Sequence, residues 1–272
     1  MNAVRRDIAD VALAESIFAP HYALPDVEGL ILASAMIRCS PDDMAEASSQ
    51  LLRGEIFAVL DISGDWAWGY SGHDHYVGYV RRDALGLAAP ASHVVIAREA
   101  PIFAAADIKS AVRDTLTLGA RVSGIVDDGF LRIADGYLHL RHVRDADHIS
   151  SDPVSVAEQF LGAPYLWGGR GAGGIDCSGL VQLALGMAGI ACPRDTDLQR
   201  MALGEDIGEG EALRRGDLVF FPGHVGLMTD SSNMIHANAF WMNVSIEPLD
   251  DVVDRLRPKY DTPVLARRRI GE

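Results

Sequence analysis

Gly174-Ile175-Asp176-Cys177-Ser178-Gly179-Leu180-Val181 places a cysteine where the glycine-rich run Trp167-Gly-Gly-Arg-Gly-Ala-Gly-Gly174 gives way to an apolar-periodic segment reaching about Ala188. The periodicity predicts a helix that begins at the cysteine. Unpaired backbone N–H groups and the positive dipole end at a helix start favour the thiolate, the nucleophilic form of the side chain. Free cysteines are commonly buried packing residues. The flanking Asp176 and Ser178 set Cys177 apart from Cys39 and Cys192, which have no such setting.

A thiol nucleophile needs a proton acceptor that later protonates the leaving amine, and histidine has the suitable unperturbed pKa. His224 opens the strand-like run His224-Val-Gly-Leu-Met-Thr229, and His236 lies twelve positions on in Met234-Ile-His-Ala237. If the Asp230–Asn233 turn closes as an odd-numbered loop, both imidazoles fall on one sheet face as diagonal neighbours, roughly 7–8 Å apart at Cα. A one-residue slip would separate them. This geometry makes His224 the base and His236 the group that orients it; two histidines satisfied inside a sheet is the alternative.

Working outward, Val154–Leu161 has helical spacing, and Asp217–Phe221, His224–Thr229 and Met234–Ala237 read as strands separated by Pro222-Gly223 and Asp230-Ser-Ser-Asn233 turns. Residues 150–272 therefore form an α+β unit, helix first and antiparallel sheet second. Before it, Ile56–Leu60, Trp66–Trp68 and Tyr76–Val80 are short β-prone runs, and a weak pattern recurs after about 60 residues. Leu52-Arg-Gly54 is echoed by Leu118-Gly119, Gly64-Asp-Trp66 by Asp128-Gly-Phe130, and Tyr76-Val-Gly-Tyr-Val80 by Tyr137-Leu-His-Leu140. Two tandem small β-barrels are expected, at 29–87 and 92–145. Residues 1–28 read as a leading segment with one short helix, and Arg267-Arg268-Arg269 as a solvated tail.

The 272 residues are 49% hydrophobic and 23% charged, with 24 basic and 38 acidic side chains giving a net charge of −14. These values exclude disorder as the main state, and an acidic chain with no basic patch argues against a nucleic-acid partner. Three cysteines do not suit a disulfide scaffold. The first residues lack a signal-peptide core, and the most apolar stretch, Gly179–Cys192, falls short of the roughly 20 residues of a membrane span. The expectation is a cytoplasmic protein with no membrane partner. Cys177, Cys192, His224 and His236 contain zinc-ligand types, but none of the pairs is closely spaced, so no metal is expected. The glycine run lacks the Gly-Lys-Ser/Thr ending of a phosphate-binding loop and suits a close approach of backbone to substrate.

The third unit resembles the NlpC family of bacterial cell-wall cysteine peptidases, with a papain-like fold. The strings that carry the resemblance run from Val154 to about Val264: Pro164-Tyr-Leu-Trp-Gly-Gly169, Asp176-Cys-Ser-Gly179, Pro193-Arg-Asp-Thr196 with Gln199, Arg215-Gly-Asp-Leu-Val-Phe-Phe221, Gly223-His-Val-Gly226 and Ile235-His236. The preceding units look like the bacterial SH3-like domains of murein-peptide recycling enzymes. The resemblance implies Cys177 as nucleophile, His224 as base and His236 as third polar member, with Trp167, Asp176, Ser178 and Asp195 lining the substrate site. It further implies that Glu46 and Tyr76 hold the free amine of an L-Ala-γ-D-Glu dipeptide. The reaction so implied is hydrolysis of the γ-D-glutamyl bond to a diamino acid, meso-diaminopimelate or L-Lys, in murein-derived peptides, with no cofactor. A Cys–His amidase or acyltransferase on another amide, or a catalytically silent wall-binding module, are the alternatives.

Overall fold

A computed structural model describes residues 2–208 and 210–271. The chain divides into two compact units, 1–148 and 149–272. In the first, a seven-stranded antiparallel sheet runs in the order Ala47–Leu52, Ser34–Arg38, Val77–Arg81, Trp66–Ser71, Ile56–Ser63, Asp26–Leu30, Leu85–Leu87. It encloses Leu30, Ile37, Leu51, Phe57, Val59, Ala67, Val80 and Leu85. This is an SH3-like sheet.

The internal repeat has a structural counterpart at each point. The hairpin of Ser34–Arg38 with Ala47–Leu52 recurs as Glu99–Phe103 with Val112–Thr117, each carrying a register shift, at Ile37/Arg38 and Ile102/Phe103. Gly54 and Gly119, both at positive φ (79° and 89°), follow these hairpins, and their N–H groups donate to the equivalent carbonyls of Leu30 and Val95 at 2.9 Å. Single turns of 3-10 helix, Arg82–Ala84 and Leu140–His142, precede the last strand of each repeat. The second repeat is split into a five-stranded and a three-stranded sheet around Val95, Ile102, Leu116, Leu131 and Leu138.

Residues 1–28 depart from the expectation of a short helix. Ile8–Asp10 and His21–Ala23 pair as parallel strands around one 3-10 turn, Val11–Leu13, and Asp26–Leu30 already belongs to the main sheet. Tertiary packing overrides the alanine-rich composition here: Ala3, Ile8 and Ala23 cluster with Leu60, Trp68 and Tyr70, while Arg5 pairs with Asp61 at 2.6 Å and lies over the Trp68 ring.

In the second unit, helix α1 (Pro153–Glu158) packs against α2 (Cys177–Met187), and α2 lies on a six-stranded antiparallel sheet. The strand order is Glu205–Asp206, Ala266–Arg269, Leu218–Phe221, His224–Met228, Asn233–Asn238, Asn243–Pro248. Helix α3 (Thr196–Ala202) follows α2, and α4 (Leu249–Leu256) follows the last sheet strand in sequence order before Ala266–Arg269. The arginine run is not a solvated tail. It pairs with Leu218–Phe220, and Arg269 forks onto the buried Asp217 carboxylate at 2.9 and 2.7 Å. The fold is α+β, with SH3-like sheets before the helix-and-sheet unit.

Gly54 offers a direct test of how the first unit is assembled. A Cβ at this position would lie 2.2 Å from the Arg121 carbonyl oxygen of the second repeat, whose own N–H donates to Arg53 at 2.7 Å. The positive φ adds strain for any other residue. Gly54→Ala is expected to destabilise the first unit by about 1–3 kcal/mol, read as a lowered thermal midpoint by circular dichroism, whereas Gly64→Ala, with open space around it, should cost only the strain of its φ.

Candidate active site

Cys177 is the first residue of α2, and Asp176 is its N-cap. The Asp176 carboxylate accepts from Gly179 N–H at 2.7 Å and Gly168 N–H at 2.8 Å, and from both terminal nitrogens of Arg194 at 2.9 and 2.6 Å. Ser178 Oγ donates to the same carboxylate at 3.3 Å and accepts from Arg194 at 2.8 Å. All three side chains are buried. Gln199, on α3, donates to the carbonyls of Ser178 and Pro193, so the segment carrying Arg194 is tied to the helix start. The glycines on either side of Cys177 let backbone meet backbone: a Cβ on Gly179 would lie 2.4 Å from the Gly169 oxygen, and one on Gly169 would lie 2.3 Å from the Gly174 oxygen.

The thiol itself is buried, 6% exposed, with Thr196 Oγ1 at 3.9 Å. Burial, and then the nearby Asp176 charge, push the Cys177 thiol up, against the opposing pull of the Val225 N–H, the Thr196 hydroxyl and the Ser178 N–H. The helix start therefore does not by itself deliver a thiolate at rest, because desolvation of the anion works against the dipole. Tyr165 stands in the same surroundings, its hydroxyl pushed up to about 12 by burial and then by Cys177 and Asp176.

The strand His224–Met228 runs beside α2, and the Val225 N–H bonded to Cys177 places the residue after His224 at the thiol. The turn to the next strand holds three residues inside the Thr229–Asn233 pair, whose backbone closes at 2.8 Å. Leu227 then pairs with Ile235, so Gly226 faces His236 and His224 is its diagonal neighbour. The two rings meet: His224 Nε2 lies 2.8 Å from His236 Nδ1. A third strand extends the line, for His236 Nε2 lies 2.8 Å from Glu247 Oε1. Arg255, from α4, forks onto both Glu247 oxygens, and the Trp241 indole also donates to this carboxylate. Burial and then the neighbouring His236 push His224 down to about 3, and burial likewise lowers His236, which is 1% exposed. Burial alone would raise Glu247, but its bonds to Arg255, Trp241 and His236 hold it down at about 2. A buried thiol, two neutral imidazoles and an ionised carboxylate thus lie in one unit. Among the described residues, no group of three or more His, Cys, Asp and Glu side chains is placed to hold a metal ion.

The NlpC/P60 family model matches residues 162–255, which include Cys177, His224, His236 and Glu247, and a model described as the bacterial dipeptidyl-peptidase Sh3 domain matches residues 37–85. Residues 162–255 are an NlpC/P60 domain. The chain is 28% identical over 266 residues to dipeptidyl-peptidase 6 of Lysinibacillus sphaericus, covering 87% of this chain and 97% of that protein. It is 32% identical over 130 residues to a gamma-D-glutamyl-L-lysine dipeptidyl-peptidase of Bacillus cereus, covering 44% of this chain and 38% of that protein. A crystal structure of an NlpC/P60 family protein from Bacillus cereus superimposes with a TM-score of 0.76 at 20% identity, covering 90% of this chain and 99% of that one, a likeness of fold.

Of the residues singled out in the sequence, the NlpC/P60 domain brings Cys177, Asp176 and Ser178 together at the start of α2, and His224 and His236 onto one sheet face. Trp167 is 58% exposed in the loop before α2. Asp195 holds the N-cap position of α3 but makes no capping bond with its side chain. Glu46 and Tyr76 belong to the other unit: Glu46 is exposed just before the Ala47–Leu52 strand, and Tyr76 packs partly against the core of the first sheet. The sequence strings contain Tyr165, Arg194 and Thr196 but assign them no role at the site, and they do not include Glu247. The alternation Val244-Ser245-Ile246-Glu247 carried a strand signal, and pairing Ser245 with His236 puts Glu247 on the histidine face.

Two measurements follow from this geometry. Arg194→Met would leave the Asp176 carboxylate buried without its cation, and should destabilise the domain by about 3–5 kcal/mol in denaturant unfolding, far more than the exposed-pair variant Arg257→Met. The histidines give a pH signature. Their folded-state values lie below the unfolded value of about 6.5, so their contribution to stability is complete above that pH and is lost as pH falls. Between about pH 6.5 and pH 5.5, Glu247 stays ionised in the fold and the unfolded carboxylates have barely begun to protonate. The thermal midpoint should decline across this window, and His236→Gln should flatten the decline.

Proposed function

We propose that this protein is a cysteine peptidase that hydrolyses the γ-D-glutamyl bond to a diamino acid in murein-derived peptides. The observation that carries the reading is the hydrogen bond between His224 and His236 on adjacent strands, the first of which also brings its Val225 N–H to the Cys177 thiol at a helix start. The name of the Bacillus cereus relative, a gamma-D-glutamyl-L-lysine dipeptidyl-peptidase, supports the choice of bond.

In this mechanism His224 takes the Cys177 proton as the sulfur attacks the γ-carbonyl carbon. A backbone N–H at the start of α2 donates to the developing oxyanion. The His224 imidazolium then protonates the leaving amine of the diamino acid, the C–N bond breaks, and a thioester to Cys177 remains. His224 next takes a proton from water, whose oxygen attacks the thioester; the C–S bond breaks, and the imidazolium returns that proton to the departing sulfur, releasing the dipeptide acid and restoring the thiol. The neutral thiol and imidazole at rest are consistent with this order, since the proton moves during attack rather than before it. His236 orients His224. Asp176, Ser178 and Arg194 hold the helix start, and Trp167 and Asp195 are assigned to the substrate side. The proposal includes a free N-terminal L-Ala on the substrate, whose cationic amine suits a carboxylate; Glu46, with Tyr76, is the family resemblance's assignment for it.

The test is incubation with L-Ala-γ-D-Glu-meso-diaminopimelate and mass identification of the fragments. L-Ala-γ-D-Glu and free diaminopimelate are expected, with turnover abolished in Cys177→Ala and retained in Cys192→Ala. N-acetylation should cost the wild type most of its activity, and Glu46→Ala should lower kcat/KM about ten- to a hundredfold on the free tripeptide. Cleavage at another amide would point to the amidase or acyltransferase alternative. No cleavage of any wall peptide would point to a silent binding module.

A further inference from the structure

The role given to His224 leaves one matter open, which concerns protons rather than positions. A neutral imidazole carries one N–H, on either nitrogen. If His224 carried it on Nδ1, the nitrogen not bonded to His236, that nitrogen would have no lone pair with which to accept the Cys177 proton. The contact between His224 Nε2 and His236 Nδ1 at 2.8 Å does not decide the matter, because either ring could be the donor.

Glu247 decides it. An ionised carboxylate can only accept hydrogen bonds, and the Arg255 guanidinium, forked onto both of its oxygens, keeps Glu247 in that form. The contact between Glu247 Oε1 and His236 Nε2 at 2.8 Å therefore places the His236 proton on Nε2. His236, buried and neutral, then has a bare Nδ1, so His224 Nε2 must be the donor across the next contact. This leaves His224 Nδ1 as the nitrogen with the free lone pair. We propose that Glu247, held by Arg255, is a positioning residue that sets the proton placement on both histidines and so makes His224 Nδ1 the basic nitrogen.

The inference rests on the Cys177–His224 reading above and adds a part that neither histidine can supply. Without the carboxylate, His236 could carry its proton on Nδ1 and donate it to His224 Nε2, which would force the His224 proton onto Nδ1. Glu247 also lies at the far end of the line from the charge that forms on His224 during attack. It stabilises that charge through His236 without itself touching the substrate.

Because proton placement is spectroscopically visible, the test does not depend on substrate. In protein labelled with 15N-histidine, two-bond 15N–1H correlations report which nitrogen of each neutral ring is protonated, and His224→Gln and His236→Gln assign the two sets of signals. Both rings are expected as Nε2–H forms in the wild type. Glu247→Gln, whose amide can donate to His236 Nε2, is expected to shift His236, and with it His224, toward the Nδ1–H form. In the same variant, kcat on the free tripeptide should fall about 10–100-fold with KM nearly unchanged, and the alkylation rate of Cys177 by iodoacetamide should fall with it. Arg255→Met should move the tautomers in the same direction. A wild-type His224 found as the Nδ1–H form overturns the inference, as does a Glu247→Gln protein that keeps both wild-type tautomers. Should Glu247→Gln fail to fold, the wild-type and Arg255→Met spectra still decide. Wild-type spectra as expected together with no cleavage of the tripeptide would count against the proposed reaction and not against the role of Glu247.

Discussion

The buried ion pair between Asp176 and Arg194 is the constraint on which the rest of the catalytic-type unit depends. One carboxylate gathers the N–H groups of Gly168 and Gly179, the Ser178 hydroxyl and a two-pronged guanidinium. It therefore fixes the glycine loop before α2, the first turn of α2 and the segment leading to α3. A buried charge is tolerated only when paired and hydrogen-bonded, and this one is saturated from three directions. Cys177 sits one residue after the carboxylate, so its sulfur inherits a position set by backbone and ion pair rather than by its own contacts.

Around that fixed sulfur, burial works on the thiol and the imidazoles in opposite directions. It raises the thiol and lowers both histidines, because removing water penalises the anion of one and the cations of the others. The resting site is thus uncharged at its reactive end and carries its charges at two remote points. Asp176 with Arg194 lies under the helix start, and Glu247 with Arg255 lies at the end of the histidine line. Each carboxylate is matched by one arginine, which keeps these charges neutral in sum.

The SH3-like repeats rest on a different economy of contacts. Equivalent glycines at positive φ, equivalent register shifts and equivalent 3-10 turns recur in both, although few side chains are shared between them. The first repeat adds an N-terminal segment that packs over Trp68 and Leu60, which the second lacks among the described residues. Backbone requirements therefore persist where side-chain identity does not, since a hairpin needs its turn geometry whatever residues fill the core.

The sequence by itself determined the helix starting at Cys177, the strands carrying His224 and His236, and the order of two β-repeats before an α+β unit. These are local matters: apolar period, glycine and proline turns, and the parity of a three-residue loop that decides which face a side chain takes. It misjudged residues 1–28 and the run Arg267–Arg269, where alanine and arginine composition suggested a helix and a solvated tail. Both become strands because a pairing partner and an acidic side chain await them: Ile8–Asp10 pairs with His21–Ala23 while Arg5 meets Asp61, and Ala266–Arg269 pairs with Leu218–Phe221 while Arg269 meets Asp217. The roles of Arg194 and Glu247 were invisible for the same reason. They lie 18 and 11 residues from the side chains they serve, and only folding makes Asp176 a buried charge in need of a cation, or brings a third strand to His236. What tertiary structure alone decided is therefore the protonation chemistry of the site, since desolvation and the pairing of charges distant in sequence exist only once the chain has closed around them.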